Sequence, residues 1–98
     1  MLMVEIRKTE LFAKWLDNLR DFQAKARVLV RIERLASGNA GDAKPVGEGI
    51  SEIRIDYGPG YRVYFTKRGS ELIILLAGGD KGSQSSDIKT ALRLARNL

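Results

Sequence analysis

The sequence predicts an α+β domain in which one small, mainly antiparallel sheet is covered by helices. Residues 50–55 and 61–66 alternate apolar and polar side chains, as strands with one buried face do. Residues 10–19 and 21–36 carry apolar side chains at helical spacing. Residues 72–77 are continuously apolar, which is typical of a strand buried on both faces. The predicted order is β-α-α-β-β-β-α, with helices mainly on one side of the sheet.

Composition limits the possible chemistry of this single domain, residues 1–98. The chain has no cysteine and no histidine, which excludes disulfide scaffolds, thiol nucleophiles, cysteine–zinc sites and histidine-based triads. Its net charge of +5 suits a polyanion or an acidic protein partner, and equally an ordinary solvated surface. No apolar run reaches the ~20 residues of a membrane span, and the first residues lack a signal-peptide core. We therefore expect a cytoplasmic protein with no membrane contact.

The first elements are a short strand and a helix. Val4 and Ile6 alternate with charged residues, which predicts the strand. Thr9 suits the N-cap of a helix over residues 10–19. The apolar face of this helix contains Leu11, Phe12, Trp15, Leu16 and Leu19.

The second helix is predicted to begin after Asp21, a suitable N-cap, and to end before Gly38, a suitable C′ residue. Its predicted inner stripe contains Phe22, Ala26, Leu29, Ile32 and Leu35. Its outer face carries Lys25, Arg27, Arg31 and Arg34. We interpret that basic face as solvated, with contact to a partner protein or a phosphate as the alternative.

Residues 38–49 are predicted to form a glycine-rich loop. The loop follows no strand and lacks phosphate-binding spacing, so it predicts no nucleotide site. Lys44 remains able to reach a ligand that lies on the sheet.

The two alternating segments after this loop predict a β-hairpin. Their apolar residues share a face only if the connection has an odd number of residues, and Gly58–Pro59–Gly60 provides three. This register predicts Asp56 opposite Arg62 and Arg54 opposite Tyr64. Two arginines and a tyrosine then share the exposed face of the hairpin.

The remaining chain predicts a turn at Gly69, the buried strand and a last helix. The segment 78–82 is expected to leave the strand abruptly. Ser83 or Ser86 suits the N-cap of a helix that ends near Asn97. The predicted inward residues of this helix are Ile88, Leu92, Leu94 and Ala95.

Cationic side chains that converge on one surface suit a phosphodiester. Arg54 and Arg62 are predicted on the free face of the hairpin, and Lys81 follows the buried strand. Arginine matches phosphate oxygens and remains charged at any working pH. RNA supplies its own 2′-OH nucleophile, so cleavage needs only orientation, proton transfer and charge stabilisation. The alternative is structural: an Arg62–Asp56 ion pair, with Arg54 solubilising an edge.

Other side chains extend this predicted surface. Tyr57 and Tyr64 are candidates for base stacking, whereas Tyr61 belongs to the core face. Lys44 and Lys67 are predicted to contact RNA. The acidic residues show no metal-ligand spacing, so we predict no metal and no cofactor.

Three segments together carry a family resemblance: Gly60-Tyr-Arg-Val-Tyr-Phe65, Leu75-Leu-Ala-Gly-Gly-Asp-Lys81 and Gln84-Ser-Ser-Asp-Ile88. Over essentially its whole length, the chain resembles the RelE/ParE superfamily of bacterial toxins, and within it the HigB-like branch of addiction-module killer proteins. The resemblance implies the toxin of a type II toxin–antitoxin pair that cleaves mRNA in the ribosomal A site. It also implies a 2′,3′-cyclic phosphate product, formed without a metal, and a cognate antitoxin of helix-turn-helix, HigA-like type.

Site roles follow from the resemblance by motif. Arg62 matches the arginine that holds the scissile phosphate, and Lys81 matches a basic residue that stabilises the transition state or the leaving group. Arg54 matches a basic position where a lysine is proposed as the base in RelE, although arginine is a poor proton acceptor. Glu52 stands where RelE has a second basic residue, and it is an alternative base.

The stacking tyrosine of RelE's last helix has no counterpart here, and Tyr57 or Tyr64 is expected to replace it. Two other functions remain open on the same fold. One is inhibition of DNA gyrase, as in ParE, and the other is non-enzymatic RNA binding by a basic module.

Overall fold

The computed structural model describes residues 4–98, which confirm the α+β prediction. The elements are β1 (Glu5–Lys8), α1 (Glu10–Asp17), α2 (Phe22–Ala36), β2 (Ala43–Gly47), β3 (Ile50–Ile55), β4 (Tyr61–Arg68), β5 (Leu72–Asp80) and α3 (Gln84–Arg96), with a 3₁₀ turn at Lys81–Ser83. Among these helices, none is long and apolar enough to cross a membrane.

The sheet has five strands in the order β1-β5-β4-β3-β2. β1 pairs with β5 in parallel, and the other neighbours are antiparallel. β5 therefore lies inside the sheet, as its apolar sequence predicts. The strand continues through Asp80 and does not end at Gly78. Gly78 is a position of close packing between this strand and α1, and it is not a strand terminator. A Cβ added at Gly78 would lie 2.2 Å from the Trp15 ring, so the helix α1 packs directly on the strand backbone.

The glycine-rich segment predicted as a loop contains a strand. Ala43–Gly47 forms β2, an edge strand that pairs with β3 and has an irregular register near Pro45. Proline is tolerated at a sheet edge because only one side of an edge strand needs backbone hydrogen bonds. Because proline and glycine normally indicate a loop, the sequence pattern does not predict this strand.

The hairpin register differs from the prediction by two residues. β3 and β4 are joined by five residues, not three, so that Arg54 lies opposite Arg62 and Tyr64 lies opposite Glu52. The predicted pairing of Asp56 with Arg62 is therefore wrong, as is that of Arg54 with Tyr64. A shift by an even number keeps every side chain on its predicted face, which is why alternation alone did not detect it.

The caps of the first two helices follow the sequence prediction. Thr9 Oγ1 accepts a hydrogen bond from the Phe12 backbone N–H at 3.1 Å, and α1 ends at Asp17, two residues earlier than predicted. The Asp21 carboxylate accepts from two backbone N–H groups in the first turn of α2. Gly38, just past α2, has a φ of +91°, the left-handed conformation that suits glycine at C′.

Of the helices in residues 4–98, two cover one face of the sheet, in agreement with the prediction of helices mainly on one side, and the third covers the other face. α1 and α2 cover one face and α3 covers the other, where Ala91 is fully buried. The first core comprises Phe12, Leu16, Val28, Leu35, Ile53, Ile55, Val63, Phe65, Ile73 and Leu75. The second comprises Ile50, Tyr64, Leu76, Ala77 and Ala91, with the four predicted inward residues of α3 packed around it.

The predicted set of core-facing residues on α2 is largely wrong. Ala24 and Val28 are fully buried, whereas Phe22 is 86% exposed and Leu29 is 45% exposed. Of the predicted stripe, Leu35 is buried and Ile32 packs on the core. Both sides of α2 carry apolar residues at helical spacing, so periodicity did not identify the buried one.

Candidate functional site

The three predicted catalytic side chains, Arg54, Arg62 and Lys81, line one open cleft of about 480 Å³ at the end of the hairpin. Its other lining residues are Asp42, Asp56, Gly58, Pro59 and Gly60. The register brings them together because Tyr61, at the start of β4, pairs with Asp80, at the end of β5. Lys81 therefore leaves the sheet beside the hairpin turn.

Arg62 lies between the buried Glu52 and the cleft. Its side chain is only 13% exposed, and its Nε lies 3.8 Å from Glu52 Oε1. A Cβ built on Gly60 would lie 3.9 Å from Arg62 Nη1 and 3.5 Å from Lys81 Cβ. The Arg62 guanidinium group and the side chain of Lys81 therefore both approach Gly60 of the turn, while the Nε of Arg62 faces a buried carboxylate.

Glu52 is that carboxylate, and it is fully buried. Its Oε2 accepts a hydrogen bond of 2.7 Å from Gln84 Nε2 in α3. Within residues 4–98, Glu52 Oε1, Arg62 Nε and Tyr64 OH have no hydrogen-bond partner. The negative charge of Glu52 compensates the positive charge of Arg62 from the interior side, since a buried cation needs a nearby anion. This position places Glu52 behind Arg62 and away from the cleft, which does not suit a base.

Tyr64 is fully buried between the sheet and α3, and it offers no stacking surface. The prediction of an exposed face at this position is wrong, because α3 covers it. Burial, followed by the charge of Glu52, raises the pKa of Tyr64 above its usual value of 10.0. The phenol therefore stays protonated.

Arg54 is held at the wall of the cleft by a surface ion pair. Its Nη2 lies 2.8 Å from Asp42 Oδ1, and its side chain is 39% exposed. Arg31 of α2 donates to the carbonyl oxygens of Arg54, Ala40 and Asp42 at 2.8, 3.0 and 3.2 Å. Arg31 thus has a structural role, which the prediction of a solvated basic face missed.

Lys81 is exposed at the start of the 3₁₀ turn, and no ion pair involves it within residues 4–98. Asp80 fixes this turn, because its Oδ1 accepts from the backbone N–H groups of Gly82 and Ser83 at 2.8 and 3.2 Å. The backbone of Lys81 is thus fixed, while its amine remains available to a ligand in the cleft.

The other predicted RNA contacts lie outside the cleft. Tyr57 donates to Asp21 Oδ2 at 2.9 Å, and Arg27 stacks 4.6 Å above its ring. This hydrogen bond is the main cause that lowers the pKa of Asp21 and raises that of Tyr57. Lys44 and Lys67 line a different groove, of about 340 Å³.

Sequence analysis missed two residues of the site. Gln84 and Asp42 reach it from α3 and from the segment before β2, and no local pattern signals either contact. Asp56 lines the cleft as well. In the described part of the chain, no group of three or more acidic side chains is placed to hold a metal ion.

Residues 14–98 match the family described as phage-derived protein Gp49-like (DUF891). The chain belongs to this family. The chain is also similar to an uncharacterized protein of Haemophilus influenzae, to which it is 48% identical over 97 residues that cover 99% of this chain and 98% of that protein.

The fold of this Gp49-like chain is that of the Escherichia coli toxin RelE. A structure of a RelE double mutant in the free state matches it with a TM-score of 0.68 and 12% identity, over 91% of this chain and 97% of that one. At this identity the likeness shows the fold, which confirms the predicted architecture. Membership of the HigB-like branch stays a prediction.

Proposed function

We propose that this Gp49-like protein is the toxin of a type II toxin–antitoxin pair and cleaves mRNA on the ribosome. The observation that carries the proposal is the cleft, which is lined by Arg62, Arg54 and Lys81. The buried Glu52 compensates the charge of Arg62. Three cations on one concave surface suit the phosphodiester of a single-stranded RNA. The fold shared with the toxin RelE supports the same function.

The reaction is attack of a ribose 2′-OH on the adjacent phosphorus. The P–O5′ bond breaks, and the products are a 2′,3′-cyclic phosphate and a 5′-OH. One proton leaves the 2′-OH and one joins the 5′-oxygen, so the redox state is unchanged. Arg62 binds the phosphate oxygens and stabilises the charge of the transition state. Arg54 contributes a second, more exposed positive charge, and neither a metal nor a cofactor takes part.

Lys81 and Asp56 are assigned the proton transfers. Lys81, as an ammonium group in the cleft, donates to the 5′-oxygen. Glu52 is buried and Asp42 binds Arg54, so that Asp56 is the cleft carboxylate assigned as proton acceptor.

The partners proposed are mRNA on the ribosome and a cognate antitoxin of helix-turn-helix, HigA-like type. Both follow from the toxin function. Single-stranded mRNA bound on the ribosome would present successive phosphates and a free 2′-OH to the cleft.

The test is mRNA cleavage on programmed ribosomes, mapped by primer extension in the presence of EDTA. Lys81→Ala and Asp56→Asn should each slow cleavage by about 100-fold or more. Lys89→Ala, which removes an exposed lysine of α3 outside the cleft, should cleave as the wild type does. The assignment would be refuted if expression of the wild-type protein arrests growth in cells while the purified protein leaves mRNA on the ribosomes intact. A gyrase supercoiling assay on the same preparation then tests the ParE-like alternative.

A further inference from the structure

The buried carboxylate of Glu52 is held by one hydrogen bond from α3. Gln84 Nε2 donates to Glu52 Oε2 at 2.7 Å, and Glu52 Oε1 lies 3.8 Å from Arg62 Nε. Glu52 is fully buried, so no solvent competes for its two oxygens. The last torsion of a glutamate side chain is broad, and a carboxylate without a donor turns easily about it. The hydrogen bond from Gln84 therefore decides where the oxygen that faces Arg62 lies.

Arg62 depends on this oxygen for its own orientation. Within residues 4–98, Arg62 Nε has no hydrogen-bond partner, and Glu52 is the acidic residue that pairs with it. The side chain of Arg62 is only 13% exposed, and charges attract more strongly where water is excluded. Tyr64 lies directly opposite Glu52 on β4 and is fully buried, so the carboxylate cannot turn toward solvent on that side. The position of the guanidinium group in the cleft is thus set from the interior.

Gln84 follows a turn that is itself held in place. The Asp80 carboxylate accepts hydrogen bonds from two backbone N–H groups of this turn. The hydroxyl of Ser83, the last residue of the turn, donates to the carboxylate of Asp87. A Cβ built on Gly79 would overlap that carboxylate, so the backbone of β5 packs directly against it. The turn therefore has little freedom to move relative to the sheet.

The same turn begins with Lys81, which lines the cleft. We propose that Gln84 is a positioning residue that orients Arg62 through Glu52. Because it follows the turn that carries Lys81, it also fixes the two cations of the cleft relative to each other. Its effect on cleavage rests on the proposed ribonuclease function, whereas its effect on Arg62 does not.

The kinetic test is cleavage of mRNA on programmed ribosomes. Gln84→Met keeps the size of the side chain and removes the donor, so kcat should fall about 10-fold or more while KM changes less than about 2-fold. The charges that bind RNA remain in this variant, but Arg62 is no longer aligned with the transition state. Gln23→Met makes the same change at an exposed glutamine of α2 and should cleave as the wild type does. Gln84→Asn keeps the amide but is one methylene shorter, and it should lose activity as Gln84→Met does.

A double-mutant cycle separates positioning from a merely structural role. Glu52→Gln removes the charge through which Gln84 acts on Arg62. Adding Gln84→Met to Glu52→Gln should therefore change kcat by less than about 2-fold, although each variant alone is slow. Effects of the two substitutions that multiply overturn the inference, because they show that Gln84 acts independently of Glu52.

The Nε–H resonance of Arg62 gives a second readout that needs no ribosome. It is assigned in ¹⁵N-labelled protein as the signal that Arg62→Lys removes. Gln84→Met should shift this signal and speed its exchange with solvent, and Gln23→Met should leave it unchanged. An unchanged signal in Gln84→Met overturns the inference, as does wild-type kcat of that variant. If the wild-type protein leaves mRNA intact, the proposed function fails, and the Arg62 signal still decides whether Gln84 positions Arg62.

Discussion

Arg62 is expected to be a structural residue as well as a catalytic one. Its Nε lies 3.8 Å from the fully buried Glu52, and its own side chain is 13% exposed. Replacing Arg62 by Met would keep the apolar stem and leave the carboxylate buried beside no cation. Breaking a buried ion pair in this way costs about 3 kcal/mol or more of unfolding free energy. For a domain of 98 residues this lowers Tm by roughly 12–24 °C.

The measurement is urea unfolding, followed by the fluorescence of Trp15, the single tryptophan, which packs on β5. Arg54→Met is the matched control, because the Arg54–Asp42 pair is largely exposed and should cost less than about 1 kcal/mol. Adding Glu52→Gln to Arg62→Met should recover about 2 kcal/mol, since a neutral amide is easier to bury than an unpaired charge.

Two results would refute this reasoning. One is equal destabilisation by Arg62→Met and Arg54→Met, within about 0.5 kcal/mol. The other is additivity of Glu52→Gln and Arg62→Met, which would show that the two side chains do not interact. The same data guard the activity assays, because lost cleavage in an Arg62 variant has catalytic meaning only where the variant remains folded.

Two further predictions concern α1 and α2. Tyr57→Phe removes the hydrogen bond that lowers the pKa of Asp21, so the Asp21 pKa should rise toward 3.8 in an NMR titration. With this lower folded-state pKa, Asp21 stabilises the wild type above about pH 4, and the stabilisation is lost as pH falls through the folded-state pKa; in the variant the stabilisation should be smaller and its loss should be complete at a higher pH. Gly78→Ala places a methyl group against the Trp15 ring and should cost about 1–3 kcal/mol in urea unfolding, whereas Gly69→Ala, in an open turn, should not perturb Trp15 fluorescence.

Local patterns predicted the elements well because the features that start and stop them are local. Thr9 and Asp21 cap their helices through hydrogen bonds to backbone groups within three residues. Gly38 ends α2 through its own backbone conformation. β2 was missed because an edge strand tolerates the proline and glycine that normally mark a loop.

Which face of an element is buried was harder to predict. The two sides of α2 show the same helical spacing, and only packing on the sheet selects Ala24 and Val28 over Phe22. Tyr64 alternates as an exposed residue would, yet α3 covers it from nearly thirty residues further along the chain. Periodicity reports the separation of faces and carries no information on what each face meets.

The sequence by itself determined the fold class, the caps of α1 and α2 and the two alternating arms of the hairpin, because each depends on short-range backbone and side-chain chemistry. The tertiary structure alone decided that Arg62 lies over a buried Glu52, that Asp42 holds Arg54, and that the basic side of α2 exposes an apolar face. Those contacts join segments far apart in the chain, and they depend on strand register and on the packing of α2 and α3, which residue spacing does not specify.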